Sequence, residues 1–377
     1  MAHLRFPHRQ DSPAGLRTIL VVLVWLSVAG AVAAAGSMSI HALRHPPAPT
    51  AAERMAVDYA RHLRRNDAVY REPAPGTAQG VLPGLPLTLS VLGVGMRGAR
   101  AISMLSLVLS VLLLGSIVLH ETGSRTAAAA AAGMLFYSAM FLTGSPGGAL
   151  SEPLALLLVI AGFACLRMLG DIRGALVGSF LLAAACFTHG LAWPFLIAAF
   201  GHTLVRSRRS LVAMTLGTAV FLGVTYVMMS RDLGPWFNSA AWESMAIAMR
   251  TEPARLVGLA SHDMLGTFSV MTLTIVLSFA LPTKPWQGVV GVWMWLAFGA
   301  VAATALAVQG GGASSLLPTI AALALAGPVV LDRLVRHLAS LPNSSRLEGR
   351  DVLFAALALQ FFELFAAVPG SALRPPF

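Results

Sequence analysis

The sequence has few charged residues and almost no lysine. Charged residues make up 11% of its 377 positions, against about 25% in an ordinary soluble domain. The surface of a soluble fold of this size needs more charged side chains than this composition supplies. Since 56% of the residues are hydrophobic and the mean hydropathy is +0.75, we predict an integral membrane protein, in which lipid covers apolar side chains directly.

The chain also lacks the usual sequence marks of a metal site or a soluble enzyme. Its two cysteines, Cys165 and Cys186, fall inside apolar runs and show neither CxxC nor Cys/His spacing. We interpret them as small apolar side chains and not as metal ligands. A Walker loop, a GxSxG elbow, an HExxH pair and a dinucleotide fingerprint are also absent, so none of these common active sites is predicted.

Positive charge is abundant by comparison, with a formal net charge of +10, and Lys284 is the only lysine among 26 basic residues. In a soluble protein this balance would suggest nucleic acid. No nucleic-acid motif and no basic stretch interleaved with aromatic residues is present, so we predict no nucleic-acid partner. We interpret the arginines as determinants of membrane topology and as contacts to lipid phosphates.

Apolar segments follow one another along the chain and predict an all-α polytopic membrane protein with about eleven transmembrane helices. Residues 1–377 are predicted to form a single transmembrane domain. The first segment has the shape of a signal peptide, with small residues at Ala33–Ala35, but its length favours an uncleaved helix. The predicted spans are 16–38, 101–120, 126–143, 149–166, 174–189, 191–205, 210–229, 264–282, 287–308, 315–332 and 352–368.

The distribution of basic residues predicts a cytoplasmic N-terminus in a bacterial inner (plasma) membrane. The predicted short outer turns, 144–148, 189–190 and 309–314, contain no lysine or arginine. Basic residues are concentrated in cytoplasmic loops of membrane proteins, which fits this orientation. The predicted short inner loops contain Arg125, Arg167, Arg173, Arg206, Arg208, Arg209, Lys284, Arg333, Arg336, Arg346 and Arg350.

Residues 39–97 are predicted to form a loop outside the membrane with two short helical elements. Thr50 followed by Glu53 is a capping box at the start of a helix over 51–66. The segment 82–96 is apolar but is broken by Pro83, Gly84 and Pro86, so we predict an interfacial or re-entrant segment. Ionisable residues also gather at the outer helix ends, where they are functional candidates.

The N-terminal part of the chain, which includes this loop, resembles the N-terminal half of the GT-C-type membrane glycosyltransferases, which include the dolichyl-phosphate-mannose and aminoarabinose transferases. The resemblance covers roughly residues 17–230 and rests on "YARHLRRNDAVYREP", "VLPGLPLTLSVLGVG", "ARAISMLSLVLSVLLL" and the later helices up to "RSRR". Two features depart from the family pattern. The usual aromatic "YPPL" is "LPGL" at 82–85, and the paired acids are the separated Glu53 and Asp58.

The resemblance implies transfer of a sugar from a polyprenyl-phosphate donor to an acceptor on the outer face, which would be a glycan, a lipid or a protein. Such a reaction needs a base for the acceptor hydroxyl and positive charge or a metal for the departing phosphate. Glu53, or failing that Asp58, is the predicted catalytic base, and a divalent metal is left open with no other cofactor predicted. Membrane lipids are further partners. The predicted substrate- and phosphate-binding residues are Arg61, Arg71, Glu152, His189, His262 and Glu363.

Each candidate also has a structural interpretation that the sequence leaves open. Glu53 could act only in the capping box, and Asp58 could pair with a neighbouring arginine on the surface. Glu152 could interact only with the dipole of the helix that it begins. His189 could simply occupy a polar turn, and Glu363 could hydrogen-bond to another helix.

Two other functions stay open beside the enzyme. A transporter or flippase of a lipid-linked or anionic solute would favour inverted repeats and helices broken at mid-depth. An inactive scaffold of a membrane complex is the third hypothesis.

Overall fold

A computed structural model of the chain describes residues 14–65, 67, 82–142, 151–233, 265–278, 291–307, 316–339 and 349–367. Of these described residues, 91% are helical and none lies in a strand. The all-α class predicted from the sequence is therefore confirmed, and the apolar helices indicate a multi-pass membrane protein.

We number the helices of the described residues in chain order. A short 3₁₀ turn at Gly190–Ala192 joins the seventh helix to the eighth, and a helical turn at Leu265–Thr267 precedes the tenth. The helices are α1 (Ala14–Arg44), α2 (Ala51–Arg64), α3 (Gly84–Leu92), α4 (Met96–Thr122), α5 (Arg125–Phe141), α6 (Glu152–Met168), α7 (Asp171–Thr188), α8 (Trp193–Arg206), α9 (Arg208–Asp232), α10 (Ser269–Ser278), α11 (Gly291–Ala307), α12 (Leu317–Ala339) and α13 (Gly349–Ala367).

Five of the described helices are long and apolar enough to cross a membrane by length and composition: α1, α4, α7, α9 and α12. In every other predicted span most of the described residues are helical. These shorter helices do not by themselves establish a crossing, so the count of eleven spans stays a prediction. Helix α3 has nine residues, which at 1.5 Å per residue is far too short to span a bilayer.

Helix α12 lies at the centre of the described bundle. In its apolar window 83% of the residues are buried, whereas the corresponding value for α1 and α9 is 22%. It packs against α4, α5, α10, α11 and α13, mainly through alanine, leucine and valine side chains. The exposed leucines, valines and isoleucines of α1 and α9 face outward, as expected for side chains in contact with lipid.

Helices α6 and α7 pack closely along their length, and glycine permits the approach. A Cβ atom on Gly174 would lie 2.5 Å from the carbonyl oxygen of Cys165, and one on Gly178 would lie 3.0 Å from that of Gly162. Gly174 and Gly178 are four residues apart, which is the spacing of small residues at tightly packed membrane helices. This packing fixes the first turns of α7 against the last turns of α6.

The bundle has two ends, and we name each by a buried acid. The Glu53 end contains the whole of α2 and α3. It also contains the first residues of three helices (α4, α6 and α12) and the last residues of α7. The Glu121 end contains the last residues of α4, α6, α8 and α12 and the first residues of α7.

At the Glu121 end, arginines connect neighbouring helices. Arg167 pairs with Glu121 at 2.7 Å, and Arg206 pairs with Asp171 at 2.9 Å. Arginines also donate to carbonyl groups at helix C-termini. Arg206 donates to the Leu166 carbonyl at 3.2 Å, and Arg336 of α12 donates to the Thr122 carbonyl at 3.0 Å. Carbonyl groups in the last turn of a helix have no partner within it, so these contacts satisfy them.

Candidate functional site

Helix α2 begins with the capping box that the sequence predicts. The Thr50 side chain accepts a hydrogen bond from the Glu53 backbone N–H at 3.2 Å, and Glu53 Oε2 accepts one from the Thr50 N–H at 2.7 Å. The helix ends at Arg64, close to the predicted end at residue 66.

Glu53 also forms a buried ion pair with Arg100 of α4. Arg100 Nε donates to Glu53 Oε1 at 3.0 Å and Arg100 Nη2 to Oε2 at 3.2 Å, and the two side chains are 8% and 2% exposed. The same Nη2 donates to the Pro47 carbonyl at 2.9 Å. Both carboxylate oxygens are therefore engaged, and the arrangement holds α2 and the preceding chain against α4.

Helix α3 packs beneath α2 and against the end of α7. Leu85 and Leu89 of α3 form a small buried cluster with Ala56 and Ala60 of α2. A Cβ atom on Gly84 would lie 2.5 Å from Thr188 Oγ1 and 2.6 Å from Thr188 Cα. This contact gives a packing reason for glycine within the "LPGL" sequence, because no larger residue fits there without moving the chain.

The opposite edge of α2 rests on α7 and α9. Tyr59 and Leu63 of α2 pack against the buried Leu233, as do Phe187 of α7 and Met229 of α9. Burial raises the pKa of the Tyr59 phenol, so this side chain stays neutral at physiological pH and keeps its place in the apolar contact.

Glu152 and His189 meet where α6 begins and α7 ends. His189 has an extended backbone, and its Nδ1 accepts a hydrogen bond from the Leu191 N–H at 3.2 Å. In a neutral imidazole the proton then lies on Nε2, which is 3.8 Å from Glu152 Oε1. The His189 and Glu152 side chains are 25% and 16% exposed, respectively, so both are partly shielded from solvent.

This pair lines a small, partly open cavity with a volume of about 20 Å³, which is room for about one water molecule. Apart from Glu152 and His189 its walls are apolar. The remaining lining residues are Ala155, Leu156, Val159, Leu191, Ala192, Phe195 and Pro318.

The Glu53–Arg100 pair and the Glu152–His189 pair both lie at the Glu53 end, but they form two separate polar groups. Leu154, two residues after Glu152, packs against the cluster of α2 and α3 that contains Ala56 and Leu85. Glu53 itself is not among the residues that line the cavity. The structure therefore presents Glu152 to the cavity and buries Glu53 beside Arg100.

The other predicted site residues lie elsewhere. Asp58 and Arg61 form an exposed ion pair at 2.9 Å, with 56% and 60% of their side chains exposed. This is the surface pairing that the sequence left open for Asp58. Arg71 and His262 lie outside the described residues.

Glu363 lies in α13 and accepts a hydrogen bond from the Ser269 hydroxyl of α10. Its neighbour Gln360 is fully buried and bonds to the backbone on both sides of Phe268. This is the bond to another helix that the sequence left open for Glu363. The predicted continuous span over 264–282 is broken at Phe268 in the structure.

Sequence reasoning gave no role to Arg100 and did not predict the apolar cavity walls. Arg100 stands inside the "ARAISM" helix start that contributes to the family resemblance, one turn into an apolar helix. A basic residue at that depth is costly unless it is paired, and this was the signal that could have identified it. Pro318 and Phe195 have no comparable signal, because they are ordinary apolar residues of distant helices.

The sequence matches no family model and no curated protein. Among the described residues, no group of three or more histidine, cysteine, aspartate or glutamate side chains is placed to hold a metal ion.

Proposed function

We propose that the protein is a membrane glycosyltransferase of the GT-C type, which moves a sugar from a polyprenyl-phosphate donor to an acceptor outside the membrane. The observation that most supports it is the Glu152–His189 pair at a partly enclosed, mainly apolar cavity, beside the interfacial helices α2 and α3. The family resemblance of residues 17–230 supports the same proposal independently.

In the proposed reaction the acceptor hydroxyl oxygen bonds to the anomeric carbon of the sugar, and the bond from that carbon to the phosphate oxygen breaks. The Glu152 carboxylate takes the hydroxyl proton. The Nε2–H of His189 donates to the phosphate as negative charge develops on it. Polyprenyl phosphate is the leaving group, so atoms and charge balance without a further reactant.

Glu53 has a different part in this proposal. Because its carboxylate is buried and bonded to Arg100, it fixes the position of α2 above the cavity. The role of base predicted for Glu53 or Asp58 stays as the competing assignment, which the variants described below distinguish.

We further propose that the chain crosses a bacterial inner membrane eleven times, with its N-terminus in the cytoplasm. The arginine-free predicted outer turns support this orientation. It places the Glu53 end on the outer side, where polyprenyl-phosphate sugars meet acceptors of the cell envelope.

A transfer assay in lipid nanodiscs with defined polyprenyl-phosphate sugars tests the proposal. Glu152→Gln and His189→Ala should each lower the transfer rate by about 100- to 10,000-fold, the usual contribution of an acid–base group. The chain offers a matched control in His62 and Asp67, a partly exposed histidine–carboxylate pair at 3.5 Å. His62→Ala and Asp67→Asn should transfer at the wild-type rate.

Wild-type protein that transfers no sugar from any donor of this class would contradict the enzyme. Normal transfer by both cavity variants would contradict the assignment of the site while leaving the enzyme in place.

The broken helix at Phe268 favours a second candidate, a transporter or flippase of a lipid-linked or anionic solute, because transporters build their sites at such breaks. Movement of a labelled lipid-linked sugar across proteoliposomes, without formation of a covalent product, would favour this candidate over the enzyme.

A further inference from the structure

Helix α10 is separated from the preceding helical turn at Phe268, and a glutamine side chain occupies the break. In a continuous helix the Met271 N–H would donate to the Thr267 carbonyl. Here the Met271 N–H donates to Gln360 Oε1 at 3.2 Å, and Gln360 Nε2 donates to the Thr267 carbonyl at 2.8 Å. The carboxamide thus satisfies both backbone groups, as a break within a membrane protein requires.

Glu363 lies one turn beyond Gln360 on the same face of α13. Its Oε1 accepts from the Ser269 hydroxyl, and its Oε2 is buried without a hydrogen-bond partner among the described residues. The ion pairs of the described residues do not include Glu363. An ionised carboxylate in such a place needs a compensating positive charge.

We propose that a sodium ion binds at this helix-break site, which consists of Thr267, Ser269, Gln360 and Glu363. All the candidate ligands are oxygens: the Glu363 carboxylate, the Ser269 hydroxyl, the Gln360 amide oxygen and the Thr267 carbonyl. Hard cations prefer oxygen ligands, and carbonyls at interrupted membrane helices coordinate sodium in transporters.

The charge of the site selects a monovalent ion. It contains one carboxylate, and its other oxygens are neutral, so one positive charge balances it. Calcium and magnesium sites in proteins commonly include several carboxylates or substrate phosphates. The bound ion would fasten α13 to α10 near the Glu53 end, and its binding does not depend on whether the protein transfers sugars.

Thermal unfolding of the purified full chain in detergent tests the site. The midpoint should be about 5 °C higher in saturating sodium chloride than in choline chloride of equal ionic strength, since a ligand stabilises the state that binds it. The midpoint in potassium chloride should equal the midpoint in choline chloride. Glu363→Gln and Ser269→Ala should each abolish the sodium effect, whereas the control Ser116→Ala, which removes an exposed hydroxyl of α4, should preserve it.

Equal midpoints for the wild type in sodium and choline would overturn the proposal, as would equal stabilisation by potassium. A midpoint that follows pH but not sodium would show a protonated Glu363 and would also overturn it. If Glu363→Gln fails to fold, the Ser269→Ala variant still tests the site, because it keeps the Glu363 carboxylate. A sodium effect that survives in Ser269→Ala would then overturn the proposal.

Discussion

The two ends of the bundle use the same residue types in different ways. At the Glu121 end, acids on α4 and α7 pair directly with arginines of neighbouring helices, and arginines also bind helix-terminal carbonyls. At the Glu53 end, Glu53 pairs in this way with Arg100 of α4. Glu152 faces a cavity opposite a histidine, and Glu363 lies beside a helix break with one oxygen unbonded among the described residues.

This difference shows why an acid near a helix end is not by itself a functional residue. A carboxylate bonded on both oxygens by arginine is held in one position by charge-assisted hydrogen bonds. A carboxylate that faces a cavity with a weak partner can still take up a proton or bind a ligand. The Glu53 end therefore combines one buried arginine–glutamate pair with the two acids for which we propose functions, Glu152 and Glu363.

The first prediction tests whether the two ends face opposite sides of the membrane. In a background without Cys165 and Cys186, the only cysteines of the chain, Asp67→Cys should react with an impermeant maleimide in intact cells. Arg208→Cys, an exposed position at the Glu121 end, should react only after permeabilisation. The reverse pattern would invert the proposed topology, and labelling of both in intact cells would contradict the spans between them.

The second prediction compares the buried ion pairs. Glu53→Gln should lower the free energy of unfolding by about 3 to 5 kcal/mol, because it leaves the buried Arg100 without its partner. Glu121→Gln should lower it by less, because the side chain of its partner Arg167 is 25% exposed and water can solvate that charge. The capping box survives Glu53→Gln, since glutamine serves there as well. Combining Glu53→Gln with Arg100→Gln should recover part of the loss in denaturant unfolding, as expected for residues in direct contact.

The same variants separate a base from a positioning residue. Glu121→Gln should transfer sugar normally per folded molecule. If Glu53 positions α2, Glu53→Gln and Arg100→Gln should lower transfer by similar factors. If Glu53 is the base, Glu53→Gln alone should cause a loss of about 100- to 10,000-fold, which would restore the assignment made from the sequence.

The third and smallest effect concerns the exposed pair of the Glu53 end. Asp58→Asn should change the free energy of unfolding by less than about 1 kcal/mol, because surface ion pairs contribute little. Its transfer rate should match that of Arg61→Gln, the variant of its partner. A large loss with Asp58→Asn alone would identify Asp58 as the base and would remove the role proposed here for Glu152.

Much of the local architecture could be predicted because its causes lie within short stretches of sequence. The capping box at Thr50 and Glu53 needs only residues three apart, and it forms as predicted. Apolar run length and flanking arginines located the helices, and the proline-broken segment gave the short α3. The break at Phe268 could not be predicted, because its cause, Gln360, is 89 residues from Met271 in the sequence.

From the sequence alone one could predict that the protein lies in a membrane, where its helices run and which residue types lie at their ends. Hydropathy and helix signals act over a few turns, so they are readable without a fold. Only the tertiary structure decided the partner of each polar group. It placed Arg100 against Glu53, 47 residues away, and left Glu152 beside His189 at the cavity. Such pairings depend on which helices pack together, and because most helix surfaces here are alanine, leucine and valine, the sequence alone does not distinguish one packing partner from another.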